Sequence, residues 1–305
     1  MDPLIVLFGL GVGILIGLTG IGGGSLMTPL LILVVGVQPV VAIGTDLAYG
    51  AITKTVGGWR HLRAGHVDLR LSWWLAAGSV PGSILGVVAL SRLHGHYGED
   101  FDPYLLGFVA AALMVAAGAT LYRSMFRPDM HRRERRSAGL KRRRSKVATV
   151  LIGLILGIIL GMTSVGSGAL VGLVLILLYR LRPRRVVGTD VFHAAVMLWA
   201  AALTHLFYGN VDFGLMATIL VGSLPGVWIG TALLPYVPVS GLRHTLAIVL
   251  TAAALGVLSK AGVAMSPFAL VGIPLALAVA SVVVDRRRAL RATDEPARKP
   301  ALHET

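Results

Sequence analysis

Gly17-Leu18-Thr19-Gly20-Ile21-Gly22-Gly23-Gly24-Ser25 separates two apolar runs, Leu4–Leu18 and Leu26–Val37. Much the same arrangement returns as Gly161-Met162-Thr163-Ser164-Val165-Gly166-Ser167-Gly168, between Val147–Met162 and Leu170–Leu181. Each run is about 12 to 16 residues, short of the roughly 20 that a helix needs to cross a bilayer core. Each pair therefore reads as two half-helices around a glycine- or serine-rich break. Working outward, residues 17–90 align without a gap onto residues 161–234, with roughly a third of the positions identical, the mark of an internally duplicated membrane protein. Gly44-Thr45-Asp46 meets Gly188-Thr189-Asp190, His61 meets His205, Val67-Asp68 meets Val211-Asp212, and Ser79, Pro81-Gly82 and Gly86 meet Ser223, Pro225-Gly226 and Gly230.

Composition names the solvent. Of 305 residues, 55% are hydrophobic and 14% charged, and the mean hydropathy of +0.79 is that of a chain living in lipid. Lys and Arg outnumber Asp and Glu by 28 to 14, but they cluster between apolar spans, as in Arg123 to Lys146 and Arg286 to Arg291, without the interleaved aromatics of a nucleic-acid surface. With no cysteine, disulfides, thiolate metal sites and thiol catalysis are excluded. No phosphate-binding loop, His-Glu-x-x-His or nucleophile elbow appears, so neither an ATP motor nor a familiar membrane hydrolase is supported. No cofactor and no metal are expected. The first apolar run has no basic residue before it and reads as a retained segment rather than a cleaved leader.

Full spans are expected at Val40–Trp59, Leu71–Ser91, Tyr104–Tyr122, Val186–Phe207, Phe213–Tyr236, Leu242–Ser259 and Met265–Val284. Lys and Arg are retained on the cytoplasmic side, which places the loops with Arg60 and Arg63, Arg123 to Lys146, Arg182 to Arg185 and Arg286 to Arg291 inside. His94 to Asp102, Tyr208 to Asp212 and Lys260 to Ala264 are expected outside. Equivalent loops carry opposite charge character, so the two copies are expected to be inserted in opposite senses. The fold class is therefore an all-α integral membrane protein of two inverted structural repeats. Each has a broken or re-entrant helix pair plus full transmembrane helices, and an extra helix follows at the C-terminus. Re-entrant hairpins and thin crossings satisfy the loop charges equally. The organisation is 1–125 first repeat, 126–146 basic cytoplasmic linker, 147–262 second repeat, 263–285 extra helix and 286–305 a disordered cytoplasmic tail. The chain is expected in the cell inner (plasma) membrane, multi-pass, with its C-terminus cytoplasmic.

Irregular backbone at membrane depth survives only inside protein or beside a wet cavity. The two breaks are expected to face each other there, offering hydroxyls and the free N–H ends of half-helices to an anion. Thr19, Gly22, Gly23, Gly24, Ser25, Thr163, Ser164, Ser167 and Gly168 are the candidate substrate-binding residues; the competing explanation is close helix packing through small residues. Asp46, Asp190, Lys54, His193, Thr45 and Thr189 are candidates for coupling or gating, with helix capping the alternative for the two aspartates. His61 and His205 read as interfacial, and Pro81 and Pro225 as kinks or hinges in matching helices.

The glycine-rich motif at 17–25, Gly44-Thr45-Asp46 and their weaker second copy resemble the TauE/SafE sulfite exporter family, also called the toluene sulfonate uptake permease family, over nearly all of residues 1–284. The resemblance implies a multi-pass carrier of sulfite, sulfonate or sulfoacetate-type anions, and it supplies the substrate class that the residues alone do not. The expected function is thus secondary transport of a small organic or inorganic sulfur anion by alternating access around a midplane site. The alternatives are an anion channel, or a non-transporting membrane enzyme or assembly factor. The expected partners are that anion and the lipid bilayer, with no nucleic acid; homo-oligomerisation, the coupling ion and the direction of transport are left open.

Overall fold

The structure is a computed structural model that describes residues 3–19, 24–125, 145–179, 181, 183–233, 236 and 239–294. Every regular element among them is helical. Helix α1 runs Pro3–Thr19 and α2 Gly24–Leu30, continued by one π turn, Leu31–Val35. Then come α3 (Pro39–Arg63), α4 (Leu69–Tyr97) and α5 (Asp102–Met125). The second copy follows as α6 (Lys146–Thr163), α7 (Leu170–Leu177), α8 (Pro183–Phe207), α9 (Phe213–Leu233) and α10 (Val239–Lys260), and α11 (Pro267–Asp294) closes the chain.

Four helical stretches are long and apolar enough to cross a membrane: Leu69–Tyr122, Lys146–Thr163, Arg184–Phe207 and Phe213–Leu233. Helix α6 belongs to this set although a shorter half-helix was expected, because the helix continues through Thr163 until Ser164 turns left-handed and ends it. At 18 residues it is about 27 Å long. Helix α3 is absent from the set, since Gly44, Thr45, Asp46 and Lys54 lower its hydropathy, and all four are buried. The basic linker at 126–144 lies outside the described residues. So do residues 295–305, but α11 runs on through Arg286, Arg287, Arg288 and Arg291 to Asp294, past the residue 285 at which the extra span was expected to end. Arginine is a good helix former, and cations suit a helix C-terminus.

The two copies interlock through glycine. Helix α1 lies along α9 and α6 along α4, each pair running parallel. Gly9, Gly13 and Gly17 face Gly222, Gly226 and Gly230, while Gly153, Gly157 and Gly161 face Gly78, Gly82 and Gly86. A Cβ at Gly13 would fall on the Ser223 carbonyl, and one at Gly157 on the Ser79 carbonyl. Here the small residues serve close backbone approach, the packing alternative raised for the glycines of the sequence. Between these pairs α3 and α8 run antiparallel, Gly50 against Leu198 and Gly57 against Val191, so each helix meets its own repeat equivalent near Ile52.

Polar contacts occur in exchanged pairs. The Asp212 amide donates to Thr45 Oγ1 at 3.0 Å, and the Asp68 amide donates to Thr189 Oγ1 at 3.0 Å. Asp68 and Asp212 in turn cap α4 and α9 by accepting from the amides of Leu71 and Leu215. A further tie comes from α10, where Lys260 Nζ donates to the Ile32 carbonyl in the π turn at 2.6 Å.

Candidate functional site

Pro39 opens α3, which puts Asp46 in its eighth position, and Asp190 holds the same place in α8. Neither aspartate caps its helix: the proline fixes the first helical φ a turn or more earlier, so both carboxylates lie within the bundle. Asp46 is 1% exposed. Its Oδ2 accepts two hydrogen bonds, from Thr28 Oγ1 at 2.5 Å and from Ser164 Oγ at 2.8 Å, while its Oδ1 has no partner among the described residues.

Ser164 reaches Asp46 from the second break. Its backbone is left-handed (φ 57°), as are Gly166 (φ 115°) and Gly168 (φ 96°), which is how the chain reverses in so few residues. Ser167, in the same turn, accepts from Lys54 Nζ at 2.6 Å. Lys54 is 6% exposed and lies within a turn of the point where α3 and α8 meet as equivalents. Its charge acts on both Asp46 and Asp190. A full ammonium that far from water needs such neighbours. His193 is fully buried with Nε2 2.8 Å from Ser79 Oγ, and Tyr49, its equivalent in the first copy, lies beside Ser223.

Of the residues expected at the site, the structure thus joins Ser164 and Ser167 to Asp46 and Lys54, with Asp190 and His193 within reach of the ammonium. Ser25 is buried one helical turn before Thr28, on the same face of α2, and its Oγ has no partner among the described residues. Gly22 and Gly23 lie outside the described residues. Thr19 ends α1 and Gly24 begins α2. Three threonines are engaged elsewhere. Thr163 Oγ1 bonds the Ile159 carbonyl and accepts from the Val165 amide, finishing α6, while Thr45 and Thr189 hold the amides that precede α9 and α4.

Two expectations are corrected. The leading amides of α7 are not free to cradle an anion: those of Leu170 and Val171 both donate to the Gly166 carbonyl, because the turn closes on itself. Positive charge comes instead from Lys54. His205 is fully buried rather than interfacial, its Nε2 3.4 Å from the Gly161 carbonyl, since α8 carries it inward against the end of α6. Thr28 was missed altogether; its place one turn after Ser25, in a half-helix beside the break, was the available signal.

A cavity of about 590 Å³ opens at one end of the bundle, between Ile5, Val35, Val37, Asp212, Leu215 and Thr218. It does not include the charged cluster, but Asp212 on its wall is the residue whose amide Thr45 holds, next to Asp46. A buried ammonium flanked by hydroxyls and carboxylates can hold an anion and move a proton; the Ser79–His193 pair beside it has no third group orienting the imidazole, since His193 Nδ1 has no partner among the described residues.

Comparison with known proteins identifies the family. The family model for Sulfite exporter TauE/SafE matches residues 5–257. The chain is 38% identical over 237 residues to the probable membrane transporter protein YjnA of Bacillus subtilis (strain 168), covering 77% of this chain and 91% of that one. It is 26% identical over 255 residues to the probable membrane transporter protein YdhB of the same organism, covering 84% and 98%. A probable membrane transporter protein of Xylella fastidiosa (strain 9a5c) is 28% identical over 236 residues, covering 76% and 85%. No solved structure gives a significant match.

Proposed function

This chain belongs to the TauE/SafE sulfite exporter family and is a multi-pass membrane transporter, not an enzyme, and from that premise we propose that it is a secondary carrier of a small sulfur oxyanion or organosulfonate. The observation that carries the reading is the Lys54 ammonium, buried at the meeting of α3 and α8 and held by Ser167 of the second break. An ammonium with hydroxyl donors beside it matches an oxyanion in charge and in hydrogen bonding. The buried, unpartnered Ser25 hydroxyl supplies a further donor from the other copy. The substrate class rests on the family's printed description.

Alternating access is supported by the exchanged contacts of the two copies and by the antiparallel pairing of α3 with α8, as oppositely inserted repeats would give. In this reading α1–α9 and α4–α6 move as glycine-locked units about the α3–α8 pair. The C-termini of α5 and α11 lie in the cytoplasm with the basic clusters.

The test is counterflow of labelled sulfite and small sulfonates in proteoliposomes. Lys54→Met is expected to slow exchange by about 100-fold, the roughly 3 kcal/mol that a charge-assisted hydrogen bond can carry. Ser167→Val and Ser25→Val are expected to raise the half-saturating concentration. Unchanged flux in all three variants sinks this site, and flux that trans substrate does not accelerate identifies a channel instead.

A further inference from the structure

Resting on the transport reading, we infer that Asp46 is a proton-binding site whose loading is tied to the anion at Lys54, so that the carrier moves one proton with each monoanion and no net charge. The geometry begins with the two oxygens of one carboxyl. Oδ2 takes both available hydroxyl donors, Thr28 and Ser164, whereas Oδ1 is buried and without a partner among the described residues. An unpaired carboxylate oxygen out of reach of water is costly. A proton needs only that one oxygen. A metal cation needs several oxygens turned toward it, and the two hydroxyls here turn their hydrogens to Oδ2.

Charge then links the proton to the anion. The groups facing Asp46 are Lys54 and Tyr49 on its own helix, Thr28 on α2, through hydroxyl and amide, and Ser164 in the second turn; Asp190 and His193 on α8 act on Lys54, and His205 lies beside Gly44. With both carboxylates ionised and the histidines neutral, two negative charges surround one ammonium, and a monoanion arriving there adds a third in a medium that screens poorly. Protonation of Oδ1 removes one negative charge before the anion adds one, so the total is the same empty and loaded. The proton is taken from water on one side as an O–H bond forms at Oδ1. It returns to water on the other side when that bond breaks, after the anion has left.

Two measurements decide this. In an infrared pH titration of purified protein, a protonated-carboxyl stretch is expected in the wild type and in Asp190→Asn, and is expected to vanish in Asp46→Asn. A band that survives in Asp46→Asn overturns the assignment. Should that variant fold poorly, Thr28→Val and Ser164→Ala leave the carboxyl in place and are expected to shift the titration midpoint; no shift in either also overturns it. In proteoliposomes carrying an internal pH dye, labelled anion is expected to enter with one proton each, at a rate indifferent to an imposed potassium diffusion potential. Flux without protons, or with a sodium requirement, overturns the coupling. A wild type that moves no anion at all defeats the transport reading instead, and the infrared titration still decides Asp46.

Discussion

At Ser164 the backbone sits at φ 57°, a region costing a residue with a side chain about 1–3 kcal/mol. The aligned residue in the first copy is Gly20, for which that conformation would cost little. Serine stands there because its hydroxyl serves Asp46, so Ser164→Ala and Ser164→Gly should differ in stability. Both lose the bond, worth about 1–3 kcal/mol where a buried charged acceptor is left short of a donor. Only the glycine sheds the backbone strain, which offsets the lost bond, and thermal unfolding in detergent should place Ser164→Ala below both wild type and Ser164→Gly. An alanine variant as stable as wild type would show that the hydroxyl contributes nothing. In the sequence, Ser164 and Ser167 look like a decayed echo of Gly20 and Gly23. Lys54, Asp46, Asp190 and His193 were legible as ionisable groups within apolar helices, but their partners were not. Asp46 and Ser164 are 118 residues apart and Lys54 and Ser167 are 113 apart, separations that only packing closes.

Among the helices, the glycine spacing decides which surfaces can touch. Gly153, Gly157 and Gly161 recur every fourth residue on α6 and mesh with Gly78, Gly82 and Gly86 of α4, so backbone meets backbone along the whole contact. Gly157→Leu should push the pair apart, costing about 1–3 kcal/mol as an overpacked core does, and lower the yield of monodisperse protein. Gly118 on α5 has open space around its Cα, and Gly118→Ala should be neutral or stabilise by up to about 1 kcal/mol through helix propensity. Thermal unfolding of both variants checks the contrast; equal losses would mean that α4 and α6 are not in close contact. The helices themselves were largely legible, since α4, α5, α8 and α10 fall within a turn or two of their expected spans. Their ends were less so: α4 continues to Tyr97, and α11 to Asp294, because local backbone geometry and helix propensity, not hydropathy, set where a helix stops.

For the whole molecule, the exchanged bonds Thr45–Asp212 and Thr189–Asp68 and the antiparallel α3–α8 pair carry a prediction about sidedness. The chain has no cysteine, so single cysteines can be introduced without background. Glu99→Cys and Tyr208→Cys should react with a membrane-impermeant maleimide on intact cells, whereas His66→Cys should react only after permeabilisation; the reverse pattern would overturn the orientation read from loop charge. Sequence by itself determined that this chain lives in a bilayer, that it is duplicated, and where its helices run. Hydropathy, loop charge and self-similarity are properties of the chain in order, and each is complete before folding. Only the tertiary structure decided that the second break's serines serve the first copy's aspartate and lysine, that the α7 amides are spent on their own turn, and that one carboxylate oxygen of Asp46 is left over. Hydrogen bonds saturate, and which donor reaches which acceptor across more than a hundred residues depends on how closely the glycine-lined helices approach.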